Sequence, residues 1–318
     1  MKRPALTCPH PSNAFVSRIS SHSRYDIVGA FANFFPATDF PDYDAFLNAL
    51  GSCLKREQRT IVTIFHRVCR GSSSEDDVSS FVLKVYKYPF WPRIRTGFQI
   101  SKAEREFHNL RYLNRLGIGA AQAVAYGVDR DCLGLVRSCF VITRFVDNSM
   151  NLSQWSDELR LNKNVEIKRL EQIFTELGQT FRRLHQARFF LFSPKSKNIL
   201  VRQGSNRADE LLLIDVPYAR TLKWPVLASW ARARDVGVLF ANLTESLSEI
   251  AIELFYRAYL PDPLGLPANT VRRHVLRQMR VKQNRTLLSR SVNKIKRRLM
   301  GKINQLIGFL ILAEIAYG

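Results

Sequence analysis

Residues 1–40 scatter Ser, Pro and Phe without a helical or strand period, so this stretch reads as a loosely ordered leader. The pattern changes at Thr60. Thr60-Ile61-Val62-Thr63-Ile64-Phe65 and Phe81-Val82-Leu83-Lys84-Val85-Tyr86 are runs of β-branched and aromatic side chains, separated by the Gly-, Ser- and Asp-rich segment from Arg70 to Asp77. Two such runs around turn residues predict a β-hairpin. A helix is predicted to start at Ser101, where Ser101 and Glu104 form a capping box that satisfies free amides of the first turn, and to stop at Gly117. The apolar run Cys139 to Thr143 predicts another strand. It leads into the polar stretch Asp147-Asn148-Ser149, which reads as a hinge. From Lys168 to Ala187, Leu170, Ile173, Phe174, Leu177, Phe181 and Leu184 recur at helical spacing and give one apolar face. Asn198 to Val201, a polar turn from Gln203 to Glu210, and Leu211 to Ile214 then predict a short hairpin that delivers Asp215 at its end.

At 318 residues the chain is long for a single core, so two packed lobes are expected. The reading is α+β: a leader over 1–40, a small β-rich lobe and hinge over 41–147, a larger helical lobe over 148–265, and basic amphipathic helices over 266–318. No segment reaches the roughly 18 unbroken apolar residues of a membrane-spanning helix; the longest candidate, Ile303 to Ala313, contains Asn304 and Gln305. Met1 to Asn13 places prolines where an export signal needs an apolar stretch, and the five cysteines include no CxxC pair. A reducing cytoplasm is the expected compartment.

The net charge of +21 implies an anionic partner: nucleic acid, an acidic membrane face or a phosphorylated substrate. Composition alone does not choose. From Arg272 to Lys302 there is no Asp or Glu, and apolar residues such as Val275, Leu276, Leu287 and Leu299 are interleaved with the cations. Such a pattern suits the anionic surface of a membrane. Nucleic acid is the weaker reading, because no zinc finger or paired-aromatic reader motif accompanies the charge.

Phosphoryl transfer requires a cation on the nucleotide phosphates, metal ligands, and a group that orients the acceptor. The order strand lysine, helix glutamate, hinge, helix, loop asparagine, strand-end aspartate supplies most of that. Lys84 lies mid-strand, where it either finds a carboxylate or phosphate partner or faces solvent. Glu106 shares a stripe with Ala103, Leu110 and Leu113, whereas Glu104 is used by the cap, so Glu106 is the better partner for Lys84.

The strings Leu83-Lys84-Val85-Tyr86, Ala103 to Leu110, Leu116-Gly117-Ile118, Arg183-Leu184-His185, Asn198 to Val201, Leu213-Ile214-Asp215 and Arg234 to Leu239 together resemble the bacterial lipopolysaccharide core kinases, the Kdo and heptose kinase group of the protein-kinase-like superfamily. The resemblance implies a bilobal protein-kinase-like fold that uses ATP and Mg2+. It implies that Lys84 holds phosphates, that Glu106 positions Lys84, and that Asn198 and Asp215 bind magnesium. Asp235 would tie the catalytic loop to a helix of the second lobe. The sequence departs from the family pattern at three places: Ser193 occupies the position of the catalytic-loop aspartate, Leu191 that of the histidine opening the loop, and Val216-Pro217 follow the metal-binding aspartate. Ser193 cannot serve as a comparable base. Lys195, two residues on, is the expected cation on the transferring group, and His185 is expected to make a structural hydrogen bond. No GxGxxG is present, and Gly51 is the best candidate for a phosphate-covering turn. The expected function is ATP-dependent phosphorylation of a sugar or glycolipid hydroxyl by a cytoplasmic protein, peripheral on the inner face of the membrane. The alternative is a nucleotide-binding pseudokinase that acts as a scaffold or regulator in envelope assembly.

Overall fold

The computed structural model describes residues 15–19, 23–35, 43–50, 60–69, 78–89, 93–94, 96, 99–161, 167–203, 209–241, 243 and 249–260. Gly51 and the basic helices expected over 266–318 lie outside the described residues.

The hairpin expected between Thr60 and Tyr86 is present and belongs to a larger sheet. Strands β1 (Phe15–Ile19), β2 (Ser23–Val28), β3 (Thr60–Val68), β4 (Val78–Lys87), β5 (Ala123–Arg130) and β6 (Val136–Arg144) form one antiparallel sheet in the order β1-β2-β5-β6-β4-β3. Period-two alternation gives this sheet two different faces. Leu83 and Val85 pair with Ile142 and Phe140, all buried on one side, whereas Lys84 and Tyr86 pair with Val141 and Cys139 on the other. On the first side the Phe81 ring meets Phe34, Phe35 and Phe65 at centroid distances of 5.5, 5.4 and 5.6 Å. Each such pair adds about 0.5–1.5 kcal/mol beyond its area burial. Helix α1 (Tyr43–Leu50) closes the same side, with Tyr43 Oη 2.9 Å from Ser138 Oγ. Gly127 is required here. A Cβ at that position would stand 2.3 Å from the Phe140 ring that lies across it.

Part of the stretch read as a loosely ordered leader is regular structure among the described residues. Phe15–Ile19 and Ser23–Val28 form β1 and β2, and Gly29–Phe34 form a 3-10 turn that buries Phe31 against the sheet. The lack of period over this stretch reflects its mixture of an edge strand with a tight turn. Its ordering comes from non-local pairing, in which Ser23 to Ile27 align with Asp129 to Ala125 of β5.

Helix α2 (Lys102–Arg115) lies on the opposite face of the sheet and buries Ala103, Phe107, Leu110 and Leu113, with Phe107 4.8 Å from the Tyr126 ring. Ser101 Oγ accepts from the Glu104 amide at 3.1 Å, as the capping pattern predicts. At the other end Gly117 takes a φ of +67°, and the amides of Gly117 and Ile118 bond back to Asn114 and Leu113. This is a left-handed helix stop that glycine adopts without strain.

The second lobe consists mainly of helices: α3 (Leu152–Leu161), α4 (Ile167–Gln186), α5 (Pro225–Ala241) and α6 (Glu249–Tyr259). Two small sheets accompany them. β7 (Ser149–Asn151), β9 (Ile199–Gln203) and β10 (Asp209–Leu213) are ordered β10-β9-β7, and β8 (Phe189–Phe190) pairs with β11 (Arg220–Thr221). The apolar face predicted for α4 is buried through Ile173, Phe174, Leu177, Phe181 and Leu184. The lobes are joined by the β6-to-β7 hinge and by a parallel bridge in which the Leu213 amide donates to Gly119 O and the Ala121 amide to Leu213 O. The α+β, two-lobed arrangement is therefore as expected.

His185, at the end of α4, is fully enclosed. Its Nδ1 lies 2.7 Å from Tyr259 Oη, its Nε2 lies 3.5 Å from Asp235, and its ring stacks on Phe190. The contact with Tyr259 is the structural hydrogen bond expected of it. Burial holds this imidazole below its usual 6.5, with the Asp235 carboxylate opposing the shift. Between 6.5 and the lower folded value the unfolded chain carries the extra proton, so stability should fall on acidification through that window. The slope from this one group can reach about 1.4 kcal/mol per pH unit. Urea unfolding followed between about pH 7.5 and pH 5 should show this loss, and His185→Gln should flatten it. An unchanged slope in the variant would show that the imidazole does not titrate differently in the two states.

Candidate active site

The site is assembled from both lobes around one lysine. Because Lys84 is out of phase with Leu83 and Val85, strand alternation turns it to the α2 face of the sheet. There Glu106 comes from the buried stripe of α2. Lys84 Nζ lies 2.8 Å from Glu106 Oε1 and 2.9 Å from Asp215 Oδ1. Asp215 lies two residues past the end of β10, with a left-handed φ of +54°. A non-glycine residue in that region is uncommon and stores strain of about 1–3 kcal/mol, a feature that gathers at functional sites. Asn198 ends a 3-10 turn over Ser196–Asn198, and its Nδ2 donates to Asp215 Oδ2 at 3.2 Å. The turn and the strand end are held together because the Ile214 amide donates to Asn198 O at 2.9 Å.

The charges respond to this packing. Burial works to neutralise Lys84, but the carboxylates of Glu106 and Asp215 overcome it and raise the ammonium above its ordinary value. Burial likewise pushes Glu106 up, against the pull of Lys84 and with added repulsion from Asp215. For Asp215 burial is outweighed by Lys84, with Lys102 and Asn198 assisting, and its carboxyl is held below 3.8. Lys84 is therefore a retained cation and Asp215 a retained anion. Tyr86 Oη donates to Glu106 Oε2 at 2.8 Å, and burial beside that carboxylate keeps its phenol protonated.

Lys84, Glu106 and Asp215 line a cavity of about 370 Å³ that lies between the lobes, with walls that include Val62, Val82, Val141, Thr143 and Ile214 and a border formed by the hinge residues Arg144 to Val146. Ser193 lines a different cavity, of about 430 Å³, with Arg105, Pro217, Tyr218, Arg220 and Arg234. The two cavities adjoin through the chain, since Asp215 opens on the first and Pro217 on the second. The loop before Ser193 is held by Asp235, whose two carboxylate oxygens accept from the amides of Leu191 and Phe192, each at 2.7 Å. This link joins the loop to α5, the geometry that the resemblance implied for Asp235.

The structure therefore brings Lys84, Glu106, Asn198 and Asp215 together and places Ser193 in the second cavity. Lys195 is exposed ahead of the 3-10 turn and lines neither cavity, whereas Lys197 lines the first. Sequence reasoning missed Tyr86, although it stands two residues beyond Lys84 on the same strand face. It also missed Asn109, one turn past Glu106, whose Nδ2 donates to Val216 O and Ala219 O at 2.8 and 2.9 Å and fixes the segment after Asp215.

A family model described as "Lipopolysaccharide kinase (Kdo/WaaP) family" matches residues 80–259, more than half of the chain and a span that contains the whole ion-paired set. No curated protein matches the chain in sequence. Among solved structures, one titled "WaaP in complex with acyl carrier protein" is similar, with a TM-score of 0.50 and 19% identity, covering 69% of this chain and 84% of that one. This likeness is one of fold.

The pairing makes an asymmetric prediction. Lys84→Met leaves Glu106 buried beside a second carboxylate and should cost about 3–5 kcal/mol of stability without ligand, as when one partner of a buried pair is removed. Glu106→Gln keeps an acceptor for Tyr86 and leaves Lys84 with Asp215, so it should cost less than about 1.5 kcal/mol. The Lys84→Met penalty should shrink on acidification as Glu106 takes up a proton. Urea unfolding of both variants at two pH values would show this, and equal, pH-independent costs would contradict the pairing.

Proposed function

Because the chain belongs to the lipopolysaccharide kinase (Kdo/WaaP) family, we propose that it is an ATP-dependent phosphotransferase whose acceptor is the hydroxyl of a sugar or glycolipid held at the cytoplasmic face of the membrane. The observation that carries this reading is the set Lys84, Glu106 and Asp215 lining an apolar-walled cavity between two lobes, with Asn198 bonded to Asp215 behind it. The valine-rich walls suit the flat, weakly polar face of a purine, and Lys84 supplies the cation for its phosphates.

The residues present also fit Mg2+. This ion uses one or two carboxylates together with nucleotide phosphates and water, in place of a closed protein cage. Asp215 offers the more accessible carboxylate, and Asn198 spends its NH2 on Asp215, which leaves the amide oxygen as a second donor. Among the described residues no group of three or more His, Cys, Asp or Glu gathers into a self-sufficient metal site, in keeping with a cation shared with the nucleotide. A bound magnesium ion would neutralise charge on the phosphates. Lys84 would orient the phosphates, Glu106 and Tyr86 would hold Lys84 in place, and the hinge would position the base.

The cavity beside Ser193 is the acceptor side in this reading. Arg105, Arg220 and Arg234 border it, and none of the three pairs with a carboxylate among the described residues. They would draw in an acceptor that carries its own negative charge. Ser193 favours a second reading, a nucleotide-binding regulator without turnover, since a hydroxyl does not replace a carboxylate base. Loss of that base typically costs about 10²–10⁴-fold, which a reaction dominated by positioning and charge stabilisation can survive.

Thermal unfolding with Mg-ATP tests both readings at once. Nucleotide at about 100 times its Kd should add roughly 2.7 kcal/mol of stability, and Asp215→Ala should abolish the metal-dependent part. No shift at millimolar nucleotide would remove both readings. With binding in place, Ser193→Asp should raise phosphotransfer or basal ATP hydrolysis by at least about tenfold. Activity that is already high and falls in this variant would show that another residue is the base.

A further inference from the structure

Over its first two turns, helix α5 buries its small side chains and exposes its large apolar ones. Ala228 and Ala231 are fully enclosed against Phe190 and Phe192, whereas Trp224, just before the helix, is 73% exposed and Val226, Leu227 and Trp230 are 81%, 49% and 44% exposed. The hydrophobic effect favours the reverse arrangement, and four large apolar side chains within one short segment mark a surface built for contact. Val226 and Leu227 stand four and three residues before Trp230, so they share its side of the helix.

The charge around this face selects the partner. Arg220, Lys223 and Arg234 flank it, with Arg188 donating to the Lys223 carbonyl at its base. From Val216 to Arg234 the chain contains no Asp or Glu. Exposed tryptophan with aliphatic neighbours and a rim of cations free of carboxylates is the composition that seats in the headgroup layer of an anionic membrane. The face also adjoins the proposed acceptor cavity. The Trp230 ring lies 6.3 Å from that of Phe192, Arg220 stacks on Phe192 at 4.5 Å, and Phe192 and both arginines line the cavity.

We propose that Trp224 and the first two turns of α5 form a docking face for an anionic lipid membrane, seating the Ser193 cavity against an acceptor held in that membrane. The part concerning the acceptor rests on the phosphotransferase reading; the docking itself does not. This surface lies within the folded second lobe and is distinct from the basic segment after residue 265.

The test uses the full chain and the double variant Trp224→Ser/Val226→Asp, which changes two exposed side chains outside both cavities. With vesicles containing about 30% phosphatidylglycerol, the native chain should float with the lipid and its tryptophan fluorescence should be quenched by acyl-chain-brominated phospholipid. In the variant the partition coefficient should fall by at least about tenfold, and most of the quenching should be lost. Equal flotation and quenching of the two proteins would overturn the proposal. So would absence of vesicle binding by the native chain, or a native dimer, detected by light scattering, that the variant splits, since the face would then belong to a second copy. The Mg-ATP thermal shift is measured on the same samples. Retention of that shift with loss of docking supports this assignment, whereas absence of the shift in both proteins, with docking by the native chain alone, would defeat the kinase reading and leave the membrane face standing.

Discussion

The fold of the site depends on one buried ammonium. Lys84 sits on a strand whose neighbours are apolar, and removing its charge from water costs several kcal/mol unless carboxylates meet it at close range. Glu106 carries the same liability, since only 2% of its side chain is exposed. Each residue therefore requires the other, and the pair pins α2 to the six-stranded sheet at a fixed register. Asp215 extends the link to the second lobe. One positive and two negative charges leave a surplus carboxylate, and it falls on Asp215, the more exposed of the two at 37%. The excess negative charge thus faces the cavity, where a divalent cation can use it.

Much of this was legible in the sequence because it follows from short-range periods. Two-residue alternation separates Lys84 from Leu83 and Val85, helical spacing places Glu106 on the stripe of Ala103 and Leu110, and the Ser101 cap removes Glu104 from the competition. The hairpin that ends at Asp215 is likewise a local pattern. Tyr86 and Asn109 obey the same two periods and could have been found by following each face one step further. They carry no charge, and so drew less notice than the ions they support.

What could not be read depends on contacts between distant segments. The ordering of residues 15–19 and 23–35 comes from pairing of β2 with β5, about a hundred residues later, and from Phe31 and Phe35 joining a ring cluster around Phe81. The cavity beside Ser193 collects Arg105 from α2, Arg220 from β11 and Arg234 from α5. No spacing in the chain relates these three. The inverted burial of α5 is equally hidden, because Ala228 and Trp230 differ by only two positions and their exposure is decided by the phenylalanines that α5 meets.

The loop around Ser193 separates geometry from chemistry. Its path is fixed by backbone amides, with those of Leu191 and Phe192 donating to Asp235 and the Phe192 carbonyl accepting from Arg234 Nε at 3.2 Å. Charge-assisted hydrogen bonds of this kind are about twice as strong as neutral ones, and Asp235 makes them in full burial. The side chain at 193 takes no part in this anchoring, so a serine there leaves the loop where an aspartate would have it. On the proposed kinase reading, the effect of a serine at 193 would fall on proton transfer, because Asn198 and Asp215 are positioned by other contacts. In phosphoryl transfer the positioned charges carry most of the rate. On the proposed phosphotransferase reading, a chain that retains them without the base would keep the larger share of its catalytic apparatus.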